Sequence, residues 1–393
     1  MEGLPEKLQE MRARPIPERP RFFDIKTDSA ELSALIDSGA LLRVSDDYEE
    51  ASRELFAIQN PTLVYAPGFE DAFQKHYTIL TSNVPEILGR WVYFPWNGTL
   101  CHILAEADYF RVRTARNRNL ITEVEQERFY NSTIGIAGLS VGSSVAFSIA
   151  LQGGGKKLKL ADMDYLALSN TNRVLSGAPE LGSLKVSMAA RRIYEMNPYA
   201  EIELFPQGLQ PENIAAFFDG LDIVIDELDN LAVKFLIREH AKKNHIAVVM
   251  GADNGDNAVI DIERYDVDPQ PPFFHGRMGN VSYDSLKALD KFGIGKTITQ
   301  HIGPENVTMR MQESLMEMGK TIVSWPQLGG AALINGAAVA YCVRKILNGE
   351  KLESNRALVS VDEKLVPDFM SDEQKKERTE TAHAFAARFG ITL

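Results

Sequence analysis

The stretch Gly135-Ile136-Ala137-Gly138-Leu139-Ser140-Val141-Gly142-Ser143 decides the fold of this chain. It overlaps the end of a short apolar strand, Thr133 to Ala137, and opens a helix of small and apolar residues, Val141 to Leu151. Glycine in a strand-to-helix turn lets the backbone approach a phosphate, and the helix N-terminus attracts negative charge. Such turns also use glycine for packing alone, and the spacing differs from G-x-G-x-x-G. This stretch by itself therefore leaves nucleotide binding open.

Strands and helices alternate beyond this turn as far as about residue 251. The further predicted strands and helices are 157–161, 185–196, 201–205, 211–218, 221–226, 231–244 and 246–251. Strands separated by helices of this length form a parallel sheet with helices on both faces. Such a sheet binds ligands beyond the carboxyl ends of its strands. The sequence therefore predicts an α/β fold with a mostly parallel sheet.

The composition along the chain predicts four segments. These are a flexible, Pro-rich N-terminal arm (1–20), a smaller α+β domain of unknown role (21–112), the domain with the alternating pattern (113–365, with a crossover at 266–325) and a C-terminal helical tail (366–393). In the smaller domain, residues 60–68 predict a short strand, and the aromatic run at 91–96 predicts core or a domain contact.

Composition and charge exclude several classes of protein. The chain has 393 residues with 45% hydrophobic content, which suffices for a full core, and a net charge of −12, which repels nucleic acid and anionic membranes at long range. The two cysteines form no disulfide framework and no Cys-x-x-Cys pair. We find no signal sequence and no run of about 18 apolar residues. We therefore expect a cytoplasmic protein without a membrane partner.

An acidic residue follows the second strand of the alternating region. Asp162 lies 24 residues beyond Gly138, where a carboxylate accepts hydrogen bonds from the hydroxyls of a ribose. This position favours a nucleotide but does not separate ATP from NAD or FAD. For Asp164, a helix cap or loop carboxylate is the simpler interpretation.

Cations and amides follow this acidic residue, and they favour a triphosphate. Asn170 to Arg173 comes just beyond it, and Lys185 begins the next helix. A triphosphate needs cations around its leaving pyrophosphate, whereas a dehydrogenase needs the same region open for nicotinamide. Carboxylates at the end of the strand 221–226 suit Mg²⁺, and both Asp226 and Asp229 are candidates.

Together these elements resemble the adenylation domain of the ThiF, MoeB and ubiquitin-activating enzymes over about residues 116–265. The matching motifs are Asp162-Met163-Asp164, Ser169-Asn170-Thr171-Asn172-Arg173, Gly182-x-x-Lys185, Asn197-Pro198 and Asp229-Asn230. The helix opened by Trp325-Pro326-Gln327-Leu328-Gly329-Gly330 is similar to a small-residue helix near the end of that domain. The resemblance implies a Rossmann-like fold that binds ATP.

The resemblance also implies a role for individual residues. The nucleotide-binding residues would be Gly138, Ser140, Gly142, Asp162, Asp164, Asn170, Arg173 and Lys185. Asp229 resembles the magnesium-associated aspartate. Arg118, favoured over Arg116, resembles an arginine that reaches the γ-phosphate of the neighbouring protomer, which implies a homodimer. Arg118, Arg173, Lys185 and Asp229 are thus the expected catalytic residues.

The sequence departs from the family pattern at two features. Ser140-Val141 stands where the nucleotide loop usually has a glycine pair. The zinc-binding cysteine pairs of many members are absent, so no zinc is expected. Cys101 and Cys342 are interpreted as packing residues, and a thioester-forming step is unsupported.

The function implied is ATP-dependent adenylation of a carboxylate, with Mg²⁺ as cofactor. The substrate would be the C-terminus of a ubiquitin-like protein, a sulfur carrier or a peptide, and the crossover would form its channel. His275, Arg277 and His301 are candidate contacts to the acyl group. Three alternatives stay open: a tRNA threonylcarbamoyladenosine dehydratase, an NAD- or FAD-binding oxidoreductase, and a non-catalytic scaffold that keeps the fold.

Overall fold

The structure, a computed structural model, describes residues 3–12, 16–81 and 84–393, so part of the predicted N-terminal arm (1, 2 and 13–15) lies outside the described residues. The chain divides into two compact units. The first comprises Met1–Thr122 and Ala190–Tyr199, and the second comprises Glu123–Ala189 and Ala200–Leu393.

The first unit contains a four-stranded sheet and several helices. Up to residue 122 its elements are α1 (Leu4–Arg12), β1 (Arg21–Phe23), α2 (Ile25–Asp37), β2 (Arg43–Asp46), α3 (Tyr48–Gln59), α4 (Phe69–Thr81), β3 (Arg90–Phe94), β4 (Thr99–Ile103) and α5 (Glu106–Arg113). The strand order is β1-β3-β4-β2, and only β2 and β4 pair in parallel. The aromatic run forms β3, whose Trp91 and Tyr93 pack with Phe23, Leu35 and Leu100 in the core of this sheet.

The structure adds a helix to the predicted N-terminal arm, whose flexibility stays a prediction, and it contradicts the strand predicted at residues 60–68. Residues 4–12 of the predicted flexible arm form helix α1. They are mostly good helix formers, and Pro5 lies in the first turn, where its missing N–H costs nothing. Residues 60–68 form turns instead of a strand, α4 begins only at Phe69, and Tyr65 is 96% exposed. Proline flanks this segment, and an apolar run without a neighbouring strand has no hydrogen-bond partners for its backbone.

The second unit contains the predicted sheet. Its elements are α6 (Glu123–Asn131), β5 (Thr133–Ala137), α7 (Val141–Leu151), β6 (Lys157–Ala161), α8 (Lys185–Met196, which continues into the first unit), β7 (Glu201–Phe205), α9 (Ile214–Phe218), β8 (Ile223–Asp226), α10 (Leu231–Asn244), β9 (Ala247–Asn254), β10 (Asn257–Glu263), α11 (Tyr283–Lys287), α12 (Lys291–Ile302), α13 (Met309–Met316), α14 (Gly329–Leu347), β11 (Asn355–Val359), α15 (Asp362–Leu365) and α16 (Asp372–Arg388). The strand order is β11-β10-β9-β8-β5-β6-β7. The five neighbouring strands β9, β8, β5, β6 and β7 are parallel, whereas β10 pairs antiparallel with both β9 and β11. The predicted α/β fold is confirmed.

Helix α14 packs closely against α7 and against strands β9 and β10. A Cβ atom at Gly336 would lie 2.7 Å from the backbone of Ser144, so only glycine allows this approach. By length and composition alone α14 could also cross a membrane, which the search for apolar runs did not anticipate, but half of it is buried inside the fold. Burial of this kind is typical of the core helix of a globular domain.

A buried ionic network links β8, α10 and β10. Arg238 is fully buried between Asp226 and Glu263, and its Nε lies 2.6 Å from Glu263 Oε2. Lys234 Nζ lies 3.1 Å from Asp226 Oδ1. Burial alone would raise the pKa of Asp226, but Lys234 and Arg238 hold it below its ordinary value. Asp226 is therefore committed to this network, and of the two candidates for Mg²⁺ only Asp229 stays available.

The three crossover residues suggested for the acyl group contact buried groups of the fold. His275 Nε2 lies 2.8 Å from Asp261 Oδ1, and Arg277 Nη1 lies 3.6 Å from Asp261 Oδ2. His301 is 2% exposed, and its side-chain Nε2 lies 3.4 Å from Met250 Sδ. These contacts explain all three side chains without a substrate.

We expect Arg238→Met to lower the free energy of unfolding by about 3–5 kcal/mol, because Asp226 and Glu263 would keep their buried charges without this partner. Urea unfolding at pH 7.5 measures the change. Lys376→Met, which removes an exposed pair with Glu380, is the matched control and should leave stability unchanged. A loss below about 1 kcal/mol for Arg238→Met would mean that the network does not act as a unit.

Candidate functional site

The carboxyl ends of four adjacent parallel strands carry the predicted site. In the order β6-β5-β8-β9, the first three ends lead into Asp162, the loop at Gly138 and the segment Glu227–Asp229, and the last end contains residues 251–253. Since parallel strands end at the same edge of a sheet, residues far apart in the sequence come together here.

Gly138 is required by the backbone of this edge. Its φ is +88°, and a Cβ atom there would lie 2.4 Å from the carbonyl oxygen of Glu227. Each of these two features alone would make any other residue at position 138 energetically costly. At Gly142, in the first turn of α7, a Cβ atom would lie 3.2 Å from Cβ of Glu227. Both glycines thus let the loop lie directly on the segment that follows β8.

The carboxylate of Asp162 holds the glycine loop in place. Its Oδ2 accepts a hydrogen bond from the backbone N–H of Leu139 (2.6 Å), and its Oδ1 accepts one from that of Asp164 (2.8 Å). Burial raises the pKa of Asp162, against these bonds and the charge of Lys185. Each carboxylate oxygen can accept a second bond. Asp162 can therefore organise the loop and still receive a ribose hydroxyl.

Lys185 connects the glycine loop to the end of β6. Its Nζ donates to Ser140 Oγ (3.1 Å) and to Asp164 Oδ2 (2.9 Å). Lys185 is 4% exposed, whereas Asp164 is exposed. The structure thus brings the predicted residues Ser140, Asp164 and Lys185 into direct contact beside the N-terminus of α7.

The turn at 167–173 supplies an arginine with unused donors. Asn170 Oδ1 accepts the N–H of Ala167 (3.0 Å), so its side chain stabilises this turn. Arg173 Nη1 donates to Asn172 Oδ1 (3.1 Å). Within the residues that the structure describes, Arg173 Nε is buried and has no hydrogen-bond partner. Burial lowers the pKa of Arg173, against the charges of Asp253 and Asp229.

Two carboxylates that the sequence analysis did not select lie at this edge. Glu227 Oε1 accepts the N–H of Gly251 (2.9 Å), and burial raises its pKa well above the ordinary value. Asp253 is 9% exposed and accepts hydrogen bonds from Gln327 and Asn335. Burial raises its pKa from 3.8 to about 6, against the Asn335 bond, the charge of Arg173 and the Gln327 bond. An acidic residue at the end of β9 was the available signal for Asp253.

The donor set at this edge fits magnesium only in company with a ligand. Asp229 is exposed beyond the end of β8. Over the described ranges, no group of three or more His, Cys, Asp or Glu residues lies close enough to hold a metal ion by itself. Mg²⁺ usually takes one or two carboxylates together with substrate phosphates and water. Asp229 fits that pattern.

Arg118 lies in the first unit, after the short helix Ala115–Asn117, and is exposed. Arg116 is exposed in the same segment. The predicted role of Arg118 across a dimer stays a prediction.

Neither cysteine has the environment of a nucleophile. Burial raises the pKa of Cys342 to about 11, and it raises that of Cys101. Because the thiolate is the reactive form, both side chains are mainly unreactive thiols at neutral pH.

The edge therefore offers a ribose acceptor, backbone amides at a helix N-terminus, two cations and an exposed carboxylate. Backbone N–H groups and cations bind phosphate oxygens, and a carboxylate beside them can hold the metal that phosphates carry. Such a set of groups is suited to a nucleotide with its phosphates at the N-terminus of α7.

Comparisons with known proteins find related chains. The model of the ThiF family matches residues 114–262. The chain is 35% identical over 327 residues (82% of this chain, 46% of the relative) to "Uncharacterized protein MT1398" of Mycobacterium tuberculosis. It is 32% identical over 164 residues (39% and 64%) to a tRNA threonylcarbamoyladenosine dehydratase of Bacillus subtilis. It is 25% identical over 155 residues (39% and 55%) to a sulfur carrier protein adenylyltransferase of Thermus thermophilus. The chain thus spans about half to two thirds of the length of these relatives.

We expect Asp253→Asn to change how stability depends on pH. Unfolded Asp253 loses its proton near pH 3.8, whereas folded Asp253 keeps it to about pH 6. Between these values the wild type loses stability as pH rises, because ionisation favours the unfolded chain. The variant has no carboxyl group that ionises at this position. Its free energy of unfolding, relative to that of the wild type, should therefore increase by about 2 kcal/mol from pH 4 to pH 7.5.

Urea unfolding at both pH values measures this shift. Asp256→Asn, at an exposed position in the turn between β9 and β10, is the matched control and should show no shift. Parallel pH profiles for Asp253→Asn and wild type would contradict the burial cost assigned to Asp253.

Proposed function

Because residues 114–262 form a domain of the ThiF family, we propose that this chain uses ATP to adenylate a carboxylate, releasing pyrophosphate. The observation that carries the proposal is the gathering of Gly138, Asp162, Lys185, Arg173 and Asp229 at one edge of the sheet. A relative named as a sulfur carrier protein adenylyltransferase supports the same reaction class.

In the proposed reaction, an oxygen of the substrate carboxylate attacks the α-phosphorus of ATP. The bond from carboxylate oxygen to phosphorus forms, and the bond from phosphorus to the β-phosphate oxygen breaks. Pyrophosphate leaves with the bonding electrons, and the product is an acyl adenylate. Arg173 and Lys185 stabilise the negative charge that collects on the leaving group.

The remaining site residues position the nucleotide. Asp162 receives the ribose, and the amides from Gly138 to Gly142, with Ser140, face the phosphates at the N-terminus of α7. Asp164 orients Lys185 through their ion pair, and Asn170 stabilises the turn that carries Arg173. Asp229 is the residue that would hold Mg²⁺, which neutralises phosphate charge when bound. The proposal requires no zinc.

The proposed substrate is a protein or peptide with a free C-terminal carboxylate, either a ubiquitin-like or sulfur-carrier protein or a short peptide. A flexible C-terminal tail can enter a narrow site, and the crossover 266–325 would cover it. The named activity of the Thermus thermophilus relative supports a sulfur carrier within this class.

A tRNA threonylcarbamoyladenosine dehydratase activity is the second candidate. The similarity to the Bacillus subtilis enzyme favours it, because it exceeds that to the adenylyltransferase relative. The net charge of −12 disfavours RNA at long range. An NAD- or FAD-dependent oxidoreductase would leave Arg173, Lys185 and Asp229 without a role.

ATP–pyrophosphate exchange with Mg²⁺ tests the proposal. We expect exchange that depends on a pool of small cellular proteins or peptides and falls by about 100-fold in Asp229→Ala and Lys185→Ala. Asp162→Ala should weaken ATP binding. Asp256→Ala is the matched control and should keep wild-type exchange.

Each other outcome points to a specific alternative. Exchange that depends on tRNA alone, with an affinity that falls steeply with salt, would support the dehydratase candidate. Undiminished exchange in Asp229→Ala would contradict the metal role. A wild-type chain that does not bind ATP would be a non-catalytic scaffold.

We further propose that Arg118 acts across a homodimer. Arg118→Ala and Asp229→Ala should each lose about 99% of the exchange activity alone. When the two variants are co-expressed with different tags and purified through both tags, every dimer is mixed and has one intact site, so it should recover about half of wild-type activity. Exchange assays of the doubly purified dimer measure this. No recovery would place Arg118 in its own protomer's site or outside any site.

A further inference from the structure

Asp253 accepts two amide donors from the return of the chain over the sheet. Its Oδ2 accepts from Gln327 Nε2 (3.4 Å), and its Oδ1 accepts from Asn335 Nδ2 (3.3 Å). Asn335 is fully buried, and a Cβ atom at Gly251 would lie 1.7 Å from its Oδ1, so only glycine there admits it. The two donors reach different oxygens of Asp253, so an amide side chain in the same orientation would accept only one of the two bonds.

Gln327 in turn holds the turn that carries Arg173. Its backbone carbonyl accepts a hydrogen bond from Asn172 Nδ2 (2.8 Å), and Asn172 Oδ1 accepts one from Arg173 Nη1 (3.1 Å). A Cβ atom at Gly329 would lie 2.4 Å from the carbonyl oxygen of Asn172. The turn therefore rests directly on residues 327–329.

Arg173 has few other restraints. Its Nη1 also approaches the carbonyl oxygen of Ser169, at 3.4 Å. The charges of Asp253 and Asp229 act on the guanidinium from the edge of the sheet. The side chain of an arginine has many rotamers, so its orientation on a turn depends on the neighbours that fix it.

We propose that Asp253 is a positioning residue of the ATP site, which orients the Arg173 guanidinium toward the nucleotide through Gln327 and Asn172. The inference rests on the proposed function, in which Arg173 binds phosphate. It gives Asp253 a role that explains why a costly buried carboxylate stands at the end of β9.

Asp253→Asn tests this role, because an asparagine can accept only one of the two amides. We expect its affinity for Mg²⁺-ATP to fall by about 10-fold, the effect of one hydrogen bond to a charged group. Loss of a carboxylate near phosphates would by itself tighten ATP binding. A weaker affinity therefore reports lost positioning. Calorimetric titration of the full chain with Mg²⁺-ATP measures it.

A double-mutant cycle with Arg173→Lys separates positioning from a general structural effect. Lysine keeps the charge but lacks the planar fork that Asn172 orients. In the Arg173→Lys background, Asp253→Asn should cause no further loss of ATP affinity. Gln327→Ala should reproduce the loss in the wild-type background and also show no further loss with Arg173→Lys. Asp256→Asn is the matched control and should bind ATP as the wild type does.

The outcomes distinguish this inference from the proposed function. If the wild type binds ATP but Asp253→Asn binds equally or more tightly, the inference fails and the proposed function stands. Equal losses in both backgrounds would show that Asp253 acts independently of Arg173, which also overturns it. A wild type that does not bind ATP would overturn the proposed function, and this inference with it. Thermal unfolding at pH 7.5 establishes that each variant is folded.

Discussion

The Asp162 carboxylate accepts one backbone N–H from the loop after β5 and another from its own segment after β6. The first bond joins the ends of the neighbouring parallel strands β5 and β6 and restrains the glycine loop, and the second restrains the segment that follows β6. Lys185 also connects these two segments, because its Nζ donates to Ser140 in the glycine loop and to Asp164 in the segment after β6. The loop, the acid and the lysine are therefore one connected set. This connected set requires glycine at position 138, because a side chain there would overlap the backbone of Glu227.

Buried charges in the second unit fall into two groups with opposite electrostatics. In the core, Asp226 and Asp261 have cationic partners that lower their pKa values against the effect of burial. At the strand ends, burial raises the pKa values of Glu227 and Asp253, because their cationic and amide neighbours only partly compensate it. Incomplete compensation destabilises the fold, and such groups are concentrated at functional sites. The strand ends are therefore the part of this unit where stability and a ligand site conflict.

The parts of the molecule that depend on local pattern could be predicted from the sequence, whereas the parts that depend on distant partners could not. The alternation of strands and helices predicted the parallel sheet, and the distance from Gly138 placed Asp162 at the correct strand end. Asp226 and Asp229 were indistinguishable by sequence, because only the fold shows that Asp226 faces Arg238. Asp253 was missed because its partners lie more than 70 residues away. Helix α1 and the turns at 60–68 were missed because prolines mark chain breaks without specifying what lies between them.

The return of the chain through α14 completes the site geometry. At three glycines a Cβ atom would overlap a neighbouring residue: Gly251, Gly329 and Gly336. In each of these contacts one of the two residues belongs to α14. These close approaches bring Gln327 and Asn335 to Asp253 and bring Gln327 to Asn172. None of these contacts exists within residues 114–262, the region that matches the ThiF family. The family pattern therefore supplies the residues that would bind the nucleotide, while the orientation of Arg173 depends on a segment outside that pattern. The hydrogen-bonded link between Asp253 and Arg173 runs through this segment, so a part of the chain beyond the family match determines how the proposed phosphate-binding arginine is held.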